Sequence, residues 1–357
     1  MSDRRLDAIV VGAGICGLAA AVALTRRGAR VLVLERAGVG AEQSAGLARI
    51  FRVAHLDPRR CALALEARDG WRRWERDLGA GRLLGDEGLA VLGPGVRERQ
   101  GAAMGAAAAP WEPLAADAAA ERVPALAAGH PFGDGLWDPL AGSIRVRRTL
   151  RALAERVEVR TATVRAVAGD GDAARVELAD GTVLRAGHAV VCAGTETPGL
   201  AAGAGIELPM RFAHHVRLTY AARGAAAGRR SACLIAGGGY GLPLGSTGRF
   251  ALGLDDPGDP VPHAAATADA YAAAVRDQHA AWVPAHLPGL DPRPVDEVRC
   301  VSVQAPFLDD NEDGFQARRA GRVVAFAGSN LMKFGPLVGD RLAETVLERD
   351  DVHPDLA

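Results

Sequence analysis

Residues 10–17, VVGAGICG, constrain this chain more than any other stretch. The β-rich AIVV (8–11) runs into Gly12, an alanine-rich helical segment follows, Gly28 closes it, and VLVLE (31–35) reads as a second strand. Inside that strand–turn–helix–strand frame, Gly12-x-Gly14-x-x-Gly17 has the spacing of a dinucleotide-binding turn. The first glycine permits the tight turn, the second lets the backbone approach a pyrophosphate, and the third allows helix and strand to pack closely. The helix start offers unpaired N–H groups and the positive end of its dipole. Glu35 ends the second strand, where a carboxylate hydrogen-bonds ribose hydroxyls.

The same run imitates a secretory signal, because residues 8–24 carry no charge and follow Arg4 and Arg5. Three glycines at fixed offsets favour the nucleotide turn instead. No other segment is long and apolar enough to span a bilayer, so a soluble cytoplasmic protein is expected. Lys and Arg total 42 against 43 Asp and Glu, a net charge of −1. That balance gives no electrostatic footprint for nucleic acid or an anionic membrane. Five cysteines occur without a CxxC pair, which speaks against a disulfide framework or zinc cluster and fits a reducing compartment. Among nine histidines only His214-His215 are adjacent and no HExxH occurs, so metal catalysis has no support.

The 357 residues suffice for one large or two interleaved domains. A second phase starts near 135–157, with a turn expected at Gly142 and a helix from about Arg147. Short strands then follow, with a hairpin signal at Asp180-Gly181 and a buried strand in HAVVCAG (188–194) returning to the first sheet. Residues 205–255 alternate as strands, a helix is expected at about 264–282, and VRCVSVQAP (298–306), RVVAFAG (322–328) and GDRLAETVLER (339–349) complete the chain as strand, strand and helix. The fold class is therefore α/β plus β: a Rossmann-type domain of discontinuous segments with an inserted, mostly antiparallel β domain. The divisions are 1–85, 138–205 and 306–357 for the nucleotide-binding part, and 86–137 and 206–305 for the substrate part. One split nucleotide unit without a second glycine fingerprint favours FAD over NAD.

SAGLARIFRVAH (44–55) sets Arg49 and Arg52 three positions apart in an otherwise apolar run. Solvated surface arginines are the plain alternative, since charges are usually exposed. Lys333, in GSNLMKFGPLVGD (328–340), is equally readable as a surface lysine before a helix. Cys300, in VRCVSV, is readable as an inert strand cysteine, and Cys16 and Cys192 as packing residues.

Taken together, VGAGICGLAAAVALTRRG, ARIFRVAH, AAAERVPAL, AGSIRVRRTL, HAVVCAG, VRCVSV and GSNLMKFGPLVGDRLAE resemble, in order, the monomeric sarcosine oxidase group of amine oxidases. That group includes N-methyltryptophan and pipecolate oxidases and lies within the D-amino acid oxidase superfamily. The resemblance implies a monomeric FAD enzyme that oxidises a small amino or imino acid, secondary or cyclic, with dioxygen or another acceptor. It places Arg49 beside the flavin and pairs Arg52 with Lys333 on the substrate carboxylate. Two cations on one carboxylate give charge-assisted bonds that fix the reacting C–H. It makes Cys300 the covalent flavin attachment. Arg36, Ser44, Gly328, Phe334 and Gly335 become cofactor contacts, with a helix from about Pro336 aimed at the flavin.

Departures from the family accompany these matches. A family histidine aligns with Ala45, and a nearby pocket histidine with Asp255. Tyr240 matches an active-site tyrosine, though an ordinary strand aromatic fits the same pattern. The lysine that activates oxygen in the family aligns with Ala251, so either Arg249, two residues earlier on the same strand face, substitutes for it, or reoxidation by oxygen is slow and another acceptor takes the electrons. These changes make sarcosine itself an unexpected substrate.

Overall fold

The computed structural model describes residues 6–255, 264–304, 314–348 and 351–357. The boundary expected at 305/306 and the end of VRCVSVQAP lie outside them. Strand β1 (Leu6–Val11), helix α1 (Ile15–Arg26) and strand β2 (Val31–Glu35) form where the glycine turn requires them. Gly28 adopts φ 88° beyond the helix and its N–H bonds the Thr25 carbonyl, the usual use of glycine after a helix. Then come β3 (Ala48–Phe51) and α2 (Pro58–Leu78). The long α2 was absent from the sequence reading, although its signals are present. Asp57 caps the N–H of Arg59, Pro58 takes the first turn, and Gly79 closes the helix at φ 64°.

Next are β4 (Leu89–Leu92), α3 (Ala102–Ala106), β5 (Glu112–Leu114), α4 (Ala116–Arg122), β6 (Gly135–Asp138), β7 (Gly142–Arg145) and α5 (Val146–Ala154). The expected turn at Gly142 is corrected: Gly142 begins β7, and the turn lies at 139–140. A Cβ at Gly142 would sit 2.3 Å from the Gly85 carbonyl oxygen, so close backbone approach accounts for this glycine. Four strands follow, β8 (Glu158–Thr161), β9 (Val164–Asp170), β10 (Ala173–Leu178) and β11 (Val183–Val191), and then α6 (Thr197–Ala202). The chain continues through β12 (Arg211–Ala221), β13 (Cys233–Ala236), β14 (Gly239–Pro243), β15 (Arg249–Leu254), α7 (Ala268–His286) and β16 (Asp296–Gln304). It ends with β17 (Phe315–Ala320), β18 (Val323–Gly328) and α8 (Gly335–Leu347).

The first sheet has the order β17-β18-β11-β1-β2-β8, with β10 and β9 continuing from β11. β1 pairs in parallel with both β2 and β11, and β11 in parallel with β18. Alternate residues of β1 enter different cores, Val10 on the α1 side and Ile9 and Val11 on the other. A centrally placed parallel strand is apolar on both faces for this reason. The second sheet runs β16-β12-β15-β14-β13-β4-β6-β5 and is antiparallel except between β13 and β4. β3 and β7 form a separate two-stranded ribbon. Among the described residues no helix is long and apolar enough to cross a membrane.

Candidate active site

The glycine turn behaves as its spacing requires. Gly12 sits at φ 103°, and a Cβ there would lie 2.4 Å from the Cys192 carbonyl oxygen. A Cβ on Gly17 would lie 2.0 Å from the Gly12 carbonyl oxygen, so α1 could not seat against β1. No side chain of its own caps α1. The cap comes from Ser44, whose buried hydroxyl accepts the Ile15 N–H at 3.1 Å. Glu35 accepts from Ala13 N–H at 2.7 Å and from Ala37 N–H at 2.9 Å, which binds the carboxylate to the turn.

These groups open on a cavity of about 1130 Å³, above the roughly 300–1,000 Å³ of most small-molecule sites. Gly12, Gly14, Glu35, Arg36, Ser44, Arg49, Arg52, Tyr240, Cys300, Gly328 and Lys333 all line it. Arg36 is exposed at its edge, paired with Glu42 at 3.1 Å and Glu196 at 3.4 Å. Gly17, Phe334 and Gly335 do not line it. Phe334 is fully buried behind the wall, stacked on His55 and edge-on to Phe315. At Gly335 a Cβ would meet Ile15 Cγ1 at 2.9 Å, so this glycine lets α8 approach α1. At both positions the structure shows packing against protein. Of the two alternatives for oxygen, Arg249 as the substitute is not supported: its side chain is exposed and, like Ala251, outside the cavity lining.

The arginine pair lies on extended chain, Arg49 within β3 and Arg52 just beyond it. Both residues line the cavity. Arg49 turns towards the second sheet, where its guanidinium donates to the carbonyls of Ala48, Gln43 and Ala45 at 3.0, 3.3 and 2.5 Å. Burial, reinforced by the neighbouring charge of Arg217, holds its pKa down to about 9. Arg52 is followed by Val53 and Ala54, whose N–H groups both donate to Asp138 Oδ2, at 2.7 and 3.0 Å. Asp138 is fully buried, and its other oxygen accepts from Leu140 N–H at 3.0 Å. Burial raises its pKa while these backbone donors oppose the rise.

Asp138 is a positioning residue that the sequence reading passed over. In Asp138→Asn one amide NH2 must face a backbone donor, and a buried donor left unpaired costs about 2 kcal/mol. We expect a lower melting temperature, and a KM raised several-fold with kcat less affected, because Arg52 loses its anchor. An unchanged KM in a folded variant would show that this loop does not depend on Asp138.

Lys333 lies in a short 3₁₀ turn, Leu331–Phe334, that leads directly into α8. Its side chain is 5 % exposed, which removes the surface-lysine alternative. The turn is braced from α2: Trp71 Nε1 donates to the Lys333 carbonyl at 2.8 Å. A Cβ on Gly70 would meet Pro336 Cβ at 2.4 Å, so α2 approaches α8 at a residue without a side chain.

On the second-sheet wall, β12 and β16 place His215 opposite Cys300. His215 Nδ1 lies 3.1 Å from Cys300 Sγ, and its Nε2 meets the hydroxyl of Tyr240 on β14. Burial, with the charges of Arg217 and Arg49, pushes the His215 pKa down to about 3, so its ring is neutral at ordinary pH. Arg217, two residues on, points into the same cavity and is 8 % exposed. The functional reading of the sequence missed both residues. A signal was present in RFAHHVRLTYA, where His215, Arg217 and Thr219 alternate with Val216 and Leu218.

A nucleotide turn joined to a cation-lined cavity beneath an antiparallel sheet defines a dinucleotide-dependent oxidoreductase. Residues 7–345 match the FAD dependent oxidoreductase (DAO) family, and the chain belongs to that family. The residues present fit FAD, since the glycine cradle excludes any Cβ and the cavity continues from Glu35 to the second sheet. The fold matches the crystal structure of NikD, an unusual amino acid oxidase essential for nikkomycin biosynthesis, with TM-score 0.82 and 26% identity over 98% of this chain and 95% of that one. It also matches glycine oxidase from Geobacillus kaustophilus, with TM-score 0.80 and 19% identity over 99% and 98% of the two chains. A curated relative is the tRNA 5-methylaminomethyl-2-thiouridine biosynthesis bifunctional protein MnmC of Chromohalobacter salexigens. It is 35% identical over 216 residues, 57% of this chain but only 30% of that protein's length.

Proposed function

We propose that this FAD-dependent oxidoreductase oxidises a secondary or cyclic amino acid to an imine, with dioxygen as acceptor and hydrogen peroxide as product. The carrying observation is that Arg52 and Lys333, far apart in sequence, line one cavity with the glycine turn. FAD, when bound, supplies the acceptor for the hydride leaving the carbon next to nitrogen. The chain's own residues bind and orient. Arg52 and Lys333 hold the α-carboxylate, Glu35 and the start of α1 hold ribose and pyrophosphate, and the apolar cores around the cavity exclude bulk water. We assign residues 1–85, 138–205 and 306–357 to cofactor binding, and 86–137 and 206–305 to substrate binding. Within the family we place the chain beside the sarcosine and pipecolate oxidases. Five unpaired cysteines support a reducing compartment.

A second reading, an amine dehydrogenase using another acceptor, is favoured by the short Ala251 and the outward Arg249. The likeness to NikD adds a natural-product tailoring role to the candidates. An anaerobic screen tests the central claim by following bleaching of the flavin absorbance across amino and imino acids. We expect secondary or cyclic amino acids to bleach it and the corresponding amines without a carboxylate to fail at equal concentration. Admitting air then separates oxidase from dehydrogenase by the rate at which colour returns. Bleaching by carboxylate-free amines alone would overturn the proposal.

A further inference from the structure

Arg217 is a buried cation that the amino acid reading does not use. It lies on β12 beside the His215–Cys300 pair and is 8 % exposed, yet among the described residues its guanidinium forms no hydrogen bond or ion pair. Arg49 approaches it from β3. The two guanidinia meet around Gly46, where a Cβ would lie 2.9 Å from Arg49 Nη1 and 3.2 Å from Arg217 Nη2. Gly46 has φ 110° and leaves them room. Among the described residues the hydrogen-bond partners of Arg49 are backbone carbonyls. Like charges brought together away from water need a negative charge between them. The mutual strain is visible in Arg49 and His215, whose protonated forms are both disfavoured by burial and by these charges.

This cationic pole is distinct from the carboxylate clamp. Arg52 lies just beyond the end of β3, and Lys333 comes from the turn before α8. Glu35 and the glycine turn would hold the nucleotide end of a dinucleotide, and the wall built by β12, β14 and β16, which lines the same cavity, would face its remainder. We propose that Arg217, with Arg49, stabilises the negative charge that the flavin ring acquires on accepting two electrons. A fixed cation at the place where charge develops needs no reorganisation when the charge arrives. The inference rests on the chain being an FAD enzyme and not on which substrate it takes.

The test uses the holoenzyme without an amino acid substrate. The two-electron midpoint potential of the flavin is measured against a reference dye, and inorganic sulfite is titrated onto the oxidised flavin, where its addition leaves negative charge on the ring. In Arg217→Met we expect sulfite to bind at least tenfold more weakly. The matching fall in potential is about 30 mV for a tenfold change in a two-electron equilibrium. Arg217→Lys keeps the charge and should remain within threefold of the parent. Arg217→Gln supplies the neutral comparison should the methionine protein not retain flavin. A neutral variant that holds flavin at the parental potential overturns the proposal, as does an equal fall in the lysine variant, which would mark a role in packing. If the parent itself holds no flavin, the cofactor reading fails instead.

Discussion

Arg52→Met is expected to raise the KM for the amino acid substrate about a hundredfold or more. For the same amine without its carboxylate, KM should be unchanged. Lys333 is 5 % exposed and lines the cavity that Arg52 also lines. Removing one member of a buried charge-paired set costs about 3 kcal/mol, because the remaining charges are left incompletely matched. That energy corresponds to roughly a hundredfold. The side chain left behind fills similar space, so cavity collapse does not contribute. Steady-state kinetics on the matched acid and amine make the comparison. Equal losses for both compounds would show that Arg52 supports the loop and does not hold the carboxylate.

Cys300→Ser should move the yellow colour from the acid-precipitated protein into the supernatant. In the parent we expect a thioether to flavin that survives precipitation, with a mass increase matching one FAD. Cys300 is half-buried and lines the cavity; Cys16 and Cys192 also line it but are buried, and Cys61 and Cys233 are buried outside its lining. Its sulfur lies 3.1 Å from Nδ1 of a histidine kept neutral by burial and by two arginines, so an imidazole stands beside the sulfur as a hydrogen-bond partner. The deeply buried thiols lack such a partner: burial lifts Cys192 to about 12 and raises Cys16 further from reactivity. Parent protein that releases all its flavin on acid treatment would leave a tightly held but dissociable cofactor.

The nucleotide site was readable in the chain because its parts are local. Gly12, Gly14, Gly17 and Glu35 lie within 25 residues, and each is required by a short-range constraint: a positive φ, a close approach or a strand end. The strand after Asp180-Gly181 and its parallel return beside β1 followed from turn chemistry and apolar continuity. Sequence period also exposed the antiparallel character of 205–255. What it could not resolve was the purpose of a glycine: Gly142 read as a turn and serves close approach, and Gly335 read as a flavin contact and serves helix packing.

By itself, then, the sequence determined the class of cofactor site, the two-sheet architecture and the identity of two arginines and one lysine worth testing. Tertiary structure alone decided which charges meet. Arg49 and Arg52 are neighbours in the chain, but folding brings Arg49 to Arg217 around Gly46 and sets Arg52 and Lys333 on the lining of one cavity. His215 faces Cys300 only through the register of β12 on β16, although the two lie 85 positions apart in the chain. Asp138 is an unremarked residue before a turn until folding buries it under the amides of Val53 and Ala54. Charge and hydrogen-bond geometry depend on distances of a few ångströms between remote segments, and no local pattern encodes those distances.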